Sequence, residues 1–271
     1  MSEIVHNVAK VPAKKGFRIS AGNIDRIMNI ASPVGLLLLW EIAARFGWID
    51  VRFFPAPSKI FVTMMELIQN GQLWVHLKAS MYRLFWGFVW GGVPALLLGI
   101  SMGLNRTLRS VMEPLISATY PIPKSAILPL ILLIFGLGEP SKIVMVAIGL
   151  FFPILINTMA GVLEIQKIYF DVSKNFGADR YQVFMTVALP GAMPLIMTGV
   201  KLGVGMGLIL ISLAEMIGAK SGLGYMMWNA WEILSVETMY VGLLVIAALG
   251  VLFTVILNEI ERYLVPWKAA R

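Results

Sequence analysis

Six runs of apolar residues constrain this chain more than anything else in it: Ile30–Trp48, Leu84–Leu104, Pro121–Leu137, Ile143–Leu163, Pro194–Ile217 and Met239–Ile260. Each is near the ~20 residues that an α-helix needs to cross a hydrocarbon core. Inside that core every backbone N–H and C=O must be satisfied within the protein, so spans of this length are read as helices. Composition agrees, because 58% hydrophobic residues exceed the roughly 45–50% apolar share of a soluble domain and 14% charged residues fall below its roughly 25%. The expected fold class is therefore all-α: a polytopic membrane protein with six transmembrane helices. Residues 1–26 read as a cytoplasmic N-terminal segment, 27–265 as the transmembrane domain and 266–271 as a cytoplasmic tail.

An even number of spans puts both termini on one side, and lysine and arginine decide which. Thirteen of them (Lys10, Lys14, Lys15, Arg18, Arg26, Arg106, Arg109, Lys167, Lys174, Arg180, Arg262, Lys268 and Arg271) fall on the side of the termini. Six (Arg52, Lys59, Lys78, Arg83, Lys142 and Lys220) fall on the other. The excess places the termini on the cytoplasmic side of the membrane. It also accounts for the pI of 9.7 as topology, so no nucleic-acid partner is expected and the surrounding partner is lipid. The first 26 residues are polar and no small-x-small cleavage site follows the first run, so the first span is expected to remain as an anchor. Without cysteine and with only two histidines, no disulfide or metal centre is expected.

Between the first two spans, Phe54-Pro55-Ala56-Pro57-Ser58 leads into an amphipathic stretch through Ile60, Met64, Leu67 and Ile68. It reads as an interfacial helix with Ser58 as its N-cap. Glycines four apart at 87/91, 99/103, 199/203 and 203/207 mark close helix contacts, since little hydrophobic force draws helices together in lipid. Packing within the chain is the simpler origin of the pattern, and a dimer seam is the alternative. The third span carries Pro121, Pro123 and Pro129 in its first turns. Either it is a broken helix lining a watery path, or Pro121 and Pro123 belong to a loop and only Pro129 kinks the helix.

Among the ionisable residues at or within spans, Glu41, Lys124, Lys201 and Glu215 stand out. A charge at mid-bilayer costs on the order of 3 kcal/mol or more unless paired or hydrated. Glu41 and Lys124 sit near span ends, where they can snorkel. Lys201 and Glu215 are 14 residues apart, close to four turns, so they share a face about 20 Å apart along the axis. A salt bridge between them is excluded. Lys124, Pro129, Lys201 and Glu215 are the candidate pathway residues.

The chain's polar interruption is residues 171–190. Ile168, Val172 and Phe176 recur every four residues on one helical face, with Lys167, Asp171 and Lys174 on the other. Gly177 ends that helix, and a second short turn carries Tyr181, Phe184 and Val187 before Pro190 opens the next span. Such a helix, turn, helix bracket suits a groove on another protein. Gly218-Ala219-Lys220-Ser221 superficially suggests a phosphate-binding loop, but Ala219 and Ala214 stand where that pattern needs glycine. With no acid pair, nucleophile or metal cluster, this chain is read as non-catalytic.

The spacing of Asp171-Val172-Ser173, Gly177 and Val187-Ala188-Leu189-Pro190 resembles the coupling loop of ABC importer permeases. Asp171, Val172 and Ser173 stand where that loop usually has Glu-Ala-Ala, and Val187 where it has isoleucine. The resemblance extends over about 240 residues. It is carried also by Phe54–Ser58, Tyr120–Pro123, Phe135-Gly136-Leu137-Gly138-Glu139-Pro140-Ser141-Lys142, Asn175–Ala178, Leu189–Pro194, Ala214–Ile217 and Gly222-Leu223-Gly224. These are similar to the nitrate/sulfonate/taurine/bicarbonate branch of the type I importers. The resemblance implies a permease homodimer, two cytoplasmic ATPase subunits that bind the ATP, and an external substrate-binding protein. It implies ATPase coupling through Asp171, Ser173, Gly177, Ala178, Arg180, Leu189 and Pro190, and a small organic or inorganic anion as cargo. The competing class is a secondary transporter or channel, for which inverted repeats would be expected; none is visible between residues 27–137 and 143–261.

Overall fold

The computed structural model describes residues 21–267, with side chains from position 31 onward. Most of the expected N-terminal segment and residues 268–271 of the expected tail lie outside the described residues. The chain divides into two compact units, one ending at Ser58 and the other beginning at Lys59.

In the first unit, α1 (Ala21–Arg45) has the length of a membrane crossing. Glu41 accepts from the backbone N–H of Ser58 at 2.9 Å, from its hydroxyl at 2.8 Å and from Arg45 at 2.5 Å. Ser58 is thus not an N-cap acceptor as expected. It is a donor, and the carboxylate satisfies the first turn of α2 (Pro57–Gln69).

The second unit is built around α7 (Glu139–Leu163), whose buried residues recur along its whole length. Helices α3 (Gln72–Gly87), α4 (Val93–Leu104) and α10 (Leu189–Met216) pack on it. The glycine pairs explain how they come so close. A Cβ on Gly91 would lie 2.2 Å from the Ala147 carbonyl oxygen, and one on Gly103 would lie 2.4 Å from Val162. Gly199 would meet the Pro153 carbonyl at 2.9 Å. These pairs therefore serve packing within the chain, where close backbones supply the dispersion contact that lipid cannot.

Two π-turns, Phe88–Gly92 and Phe184–Ala188, are each followed two residues later by proline, Pro94 and Pro190. A proline inside a helix loses one hydrogen bond and crowds the carbonyl four residues back. The wider π-turn absorbs that conflict, so the helix continues. Residues 72–104 and 180–216 therefore run as helices of 33 and 37 residues. Pro190 does not open a separate span, as the sequence suggested. It lies inside one helix that joins α9 (Arg180–Val183) to α10.

The third expected span is not straight. After α5 (Arg106–Thr119) the chain turns at Tyr120–Pro123, and Lys124–Ile127 forms a 3₁₀ turn before α6 (Leu128–Phe135). The two arms are bent by 85°, and α6 alone, at 8 residues, reaches only about 12 Å. Pro121 and Pro123 are turn residues, and Pro129 sits in the first turn of α6 without kinking it. Among the described residues, four helices are long and apolar enough to cross a membrane, and the bent pair makes a fifth. Finally, α11 (Leu223–Glu232) tucks Leu223, Met226, Met227 and Ala230 against α10 and α12 (Val236–Leu264), while α12 buries only Val241, Gly242 and Leu249.

Candidate translocation cavity and coupling surface

A cavity of about 480 Å³ opens between the α5–α6 turn, α7 and α10, lined by Tyr120, Lys124, Phe152, Asn157 and Lys201 among apolar neighbours. The bend in the third span creates it, because the turn at Tyr120–Pro123 directs Lys124 inward. The Lys124 ammonium donates to the carbonyls of Thr119 (2.9 Å) and Tyr120 (3.0 Å) and lies 4.0 Å from the Phe152 ring centroid. That ring face partly offsets its desolvation. Lys201 forms an ion pair with Glu261 of α12, and its side chain keeps 26% exposure against 13% for the glutamate. Asn157 donates its amide to the Pro153 carbonyl at 2.8 Å, which leaves its own carbonyl oxygen as an acceptor. Two lysines and one amide in an apolar cavity can receive an anion.

Glu215 and Pro129, the other candidate pathway residues, do not line this cavity. Pro129 is exposed. Glu215 is completely buried in an ionic cluster of different construction. It accepts from Arg83 Nη1 at 2.8 Å, from the Ser80 hydroxyl at 2.8 Å and from the backbone N–H of Gly224 at 2.9 Å. Arg83 turns the rest of its guanidinium on Glu139, with Nε at 2.7 Å and Nη2 at 2.6 Å, and also donates to the Ser221 carbonyl at 2.8 Å. The fork suits a planar guanidinium, which engages a carboxylate through two parallel bonds. Nearby, buried Lys142 donates to the carbonyls of Leu137 and Gly218. Two cations and two anions thus balance.

The glycines here are required by that cluster. Gly222 has φ +117, and a Cβ there would fall 2.2 Å from the Glu215 carboxyl carbon. Its N–H donates to His76 Nδ1 at 3.2 Å while the Leu223 N–H donates to Ser80 at 2.9 Å. Glu215 therefore sits at the N-terminus of α11, where a negative charge is favoured. Sequence reading placed Arg83 and Lys142 among outer-side loop charges. They are instead buried within α3 and α7.

The bracket forms as expected in its first half. Helix α8 (Lys167–Asn175) ends at Gly177, whose φ of +75 is the left-handed conformation glycine adopts freely. Asp179 and Gln182 then form a capping box at α9, each side chain bonding the other's backbone N–H at 2.8 Å. Ile168, Val172 and Phe176 are exposed, Phe176 at 87%, and Tyr181 joins them. Gly177 and Arg180 are exposed as well, Asp171, Ser173, Ala178, Leu189 and Pro190 are half-buried, and Ser173 donates to the Phe170 carbonyl. The result is an apolar ridge, exposed among the described residues, on a capped turn.

Sequence reasoning missed Arg83, Glu139, Asn157 and Glu261. Asn157 carried a usable signal, an amide in the middle of an apolar run. Glu261 lies one residue past the expected end of its span, and only the structure pairs it with Lys201.

Comparison with known proteins agrees with this architecture. Residues 95–269 match the family "Binding-protein-dependent transport system inner membrane component". The taurine transport system permease protein TauC of Escherichia coli (strain K12) is 34% identical over 248 residues, covering 89% of each chain. SsuC of the same organism, provisionally named an aliphatic sulfonates transport permease protein, is 36% identical over 238 residues, covering 88% of this chain and 90% of that one. A chain of the MetNI methionine ABC transporter shares the fold with a TM-score of 0.53 at 24% identity, covering 74% of this chain and 98% of that one. The chain belongs to the binding-protein-dependent transport system inner membrane components, and is a membrane-spanning permease subunit of an ABC importer.

Proposed function

We propose that this permease carries a sulfonate-class anion, such as taurine or an aliphatic sulfonate, through the cavity lined by Lys124, Asn157 and Lys201. The observation that carries this reading is the placement of two lysines in one apolar cavity; the sulfonate class comes from the names of TauC and SsuC. A sulfonate is a fixed monoanion with three acceptor oxygens, and ammonium and amide groups set among apolar walls attract it more strongly than they would in bulk water. Lys201 exchanges part of its pairing with Glu261 for the cargo, so cargo is held without being trapped.

The drive comes from a separate ATPase, which binds the ATP; this chain needs no cofactor of its own. The exposed ridge of Ile168, Val172, Phe176 and Tyr181 docks on that subunit, with Asp171, Ser173, Gly177, Ala178 and Arg180 shaping the turn. Leu189 and Pro190 transmit its movement, because the helix from Arg180 runs without a break past Lys201. Nucleotide-driven closure then rocks that helix and alternates access to the cavity. Two copies of this chain form the pathway, with a binding protein delivering cargo near residues 221–231. The termini lie in the cytoplasm, and the removal of buried Arg83 and Lys142 from the outer count makes the charge asymmetry steeper. The test is uptake of labelled taurine into vesicles holding the permease with its ATPase and binding protein. ATP-dependent uptake is expected; uptake by the permease alone would instead indicate a secondary transporter.

A further inference from the structure

We propose that the groove behind the bracket binds the phosphate of an anionic phospholipid. A groove of about 760 Å³ lies between the α4–α5 junction, the C-terminal end of α7 and helices α8 and α9, with Arg106, Lys167, Lys174 and Arg180 around it. No carboxylate among the described residues lines it. Among the described residues, none of the four cations takes part in an ion pair. Asp171, on the same helix as both lysines, neither lines the groove nor pairs with them.

Two further features concentrate positive potential here. Helices α5 and α8 both start at the groove, and neither has an acidic residue in its first turn, so no carboxylate there offsets their positive ends. Four cations held around one concavity repel one another and focus a field that favours an anion. Arginine forks and lysine point charges together suit a tetrahedral phosphate.

The rest of the lining selects a lipid over a soluble anion. Leu104, Leu163, Phe170 and Val183 are continuous with the cations, and α4 and α7 leave the apolar core at this point. A headgroup can therefore sit on the cations while its chains follow the apolar wall, the arrangement expected of basic pockets at span ends. Apart from Ala178 and Arg180, which border both, the groove lies away from the docking ridge. On α8, Lys167, Phe170 and Lys174 share one face, and Ile168, Val172 and Phe176 lie nearly opposite by helical periodicity.

The test uses the full chain in detergent, with native mass spectrometry of retained phosphatidylglycerol against phosphatidylcholine. The native chain should retain phosphatidylglycerol preferentially. Arg106→Gln/Lys167→Gln/Lys174→Gln should lower that retention about tenfold or more, and Arg106→Lys/Lys167→Arg/Lys174→Arg should keep most of it. Should the triple glutamine variant fail to fold, Arg106→Gln alone should still lower retention. Unchanged retention in the glutamine variants overturns the proposal. So does an equal loss in Arg52→Gln/Lys59→Gln/Lys78→Gln, which would make the attraction non-specific. Displacement of the lipid by free glycerol phosphate at equal concentration would assign the groove to a soluble anion.

Discussion

At one end of α10, Glu215 is fully buried and bonded to Arg83, Ser80 and the Gly224 backbone. At Lys201, 14 residues nearer the bracket, the side chain keeps 26% exposure beside a cavity and pairs with Glu261. Both are charges inside an apolar span, and the cost of burying a charge applies to each. The difference is in what meets that cost. Glu215 is met by fixed protein groups from α3 and α11, and Arg83 in turn bonds Glu139 of α7, which makes the cluster a tie holding α3, α7, α10 and α11 in register. Lys201 is met by one carboxylate and by the space of the cavity, which leaves it able to exchange partners.

Breaking the tie should have the largest effect. Arg83→Met leaves two carboxylates without their cation, and removing one member of a buried pair costs about 3–5 kcal/mol, a large part of a domain's roughly 5–15 kcal/mol. The variant is expected to accumulate poorly in membranes and to lose its cooperative thermal transition in detergent; normal levels would show that the cluster is not a tie. Gly222→Ala tests the same cluster more gently. The added Cβ collides with the Glu215 carboxyl at a strained φ, and a cost of about 1–3 kcal/mol should lower the melting temperature by several degrees without abolishing insertion.

Gly177→Asp moves the comparison to the bracket. Nothing lies within 4 Å of a Cβ there, so the folding cost is only the left-handed backbone, about 1 kcal/mol for a residue that tolerates it. Insertion should survive, while ATPase co-purification and stimulated ATP hydrolysis fall together; full uptake would contradict docking through this turn. The smallest expected change is Asn105→Ala. It removes the side-chain cap that accepts from the Thr107 and Leu108 N–H groups at 2.9 and 3.1 Å, so about 1 kcal/mol is lost in thermal unfolding while transport is unaltered.

Much of the fold was legible because its signals are local. Apolar run length located the spans, the period of Ile168, Val172 and Phe176 found α8, and Gly177 marked its end. The π-turns were not legible, since proline reads as a boundary unless the preceding turn is known to be wide. Pro121 and Pro123 likewise showed that the third span is irregular without revealing the 85° bend that admits Lys124 to the cavity. Arg83 was out of reach for a different reason. Its partners lie 56 and 132 positions away, and at the edge of an apolar run it looked like a loop charge. Lys201 and Glu215 carried identical sequence signals, because intramembrane cost does not reveal what surrounds a charge.

The distinction between tie and cavity is tested most directly by removing the Lys201–Glu261 pair as a pair. In Lys201→Met/Glu261→Gln neither member of the pair keeps a charge opposite a neutral partner, so the protein should insert and melt like the native chain. Taurine uptake into vesicles holding the complete importer, normalised to inserted protein, should fall at least about tenfold, equivalent to the loss of one charged contact of ~1.4 kcal/mol. Normal uptake by the double variant, or failure to accumulate while Lys201→Arg accumulates normally, would make Lys201 a second structural tie and contradict its assignment to the pathway.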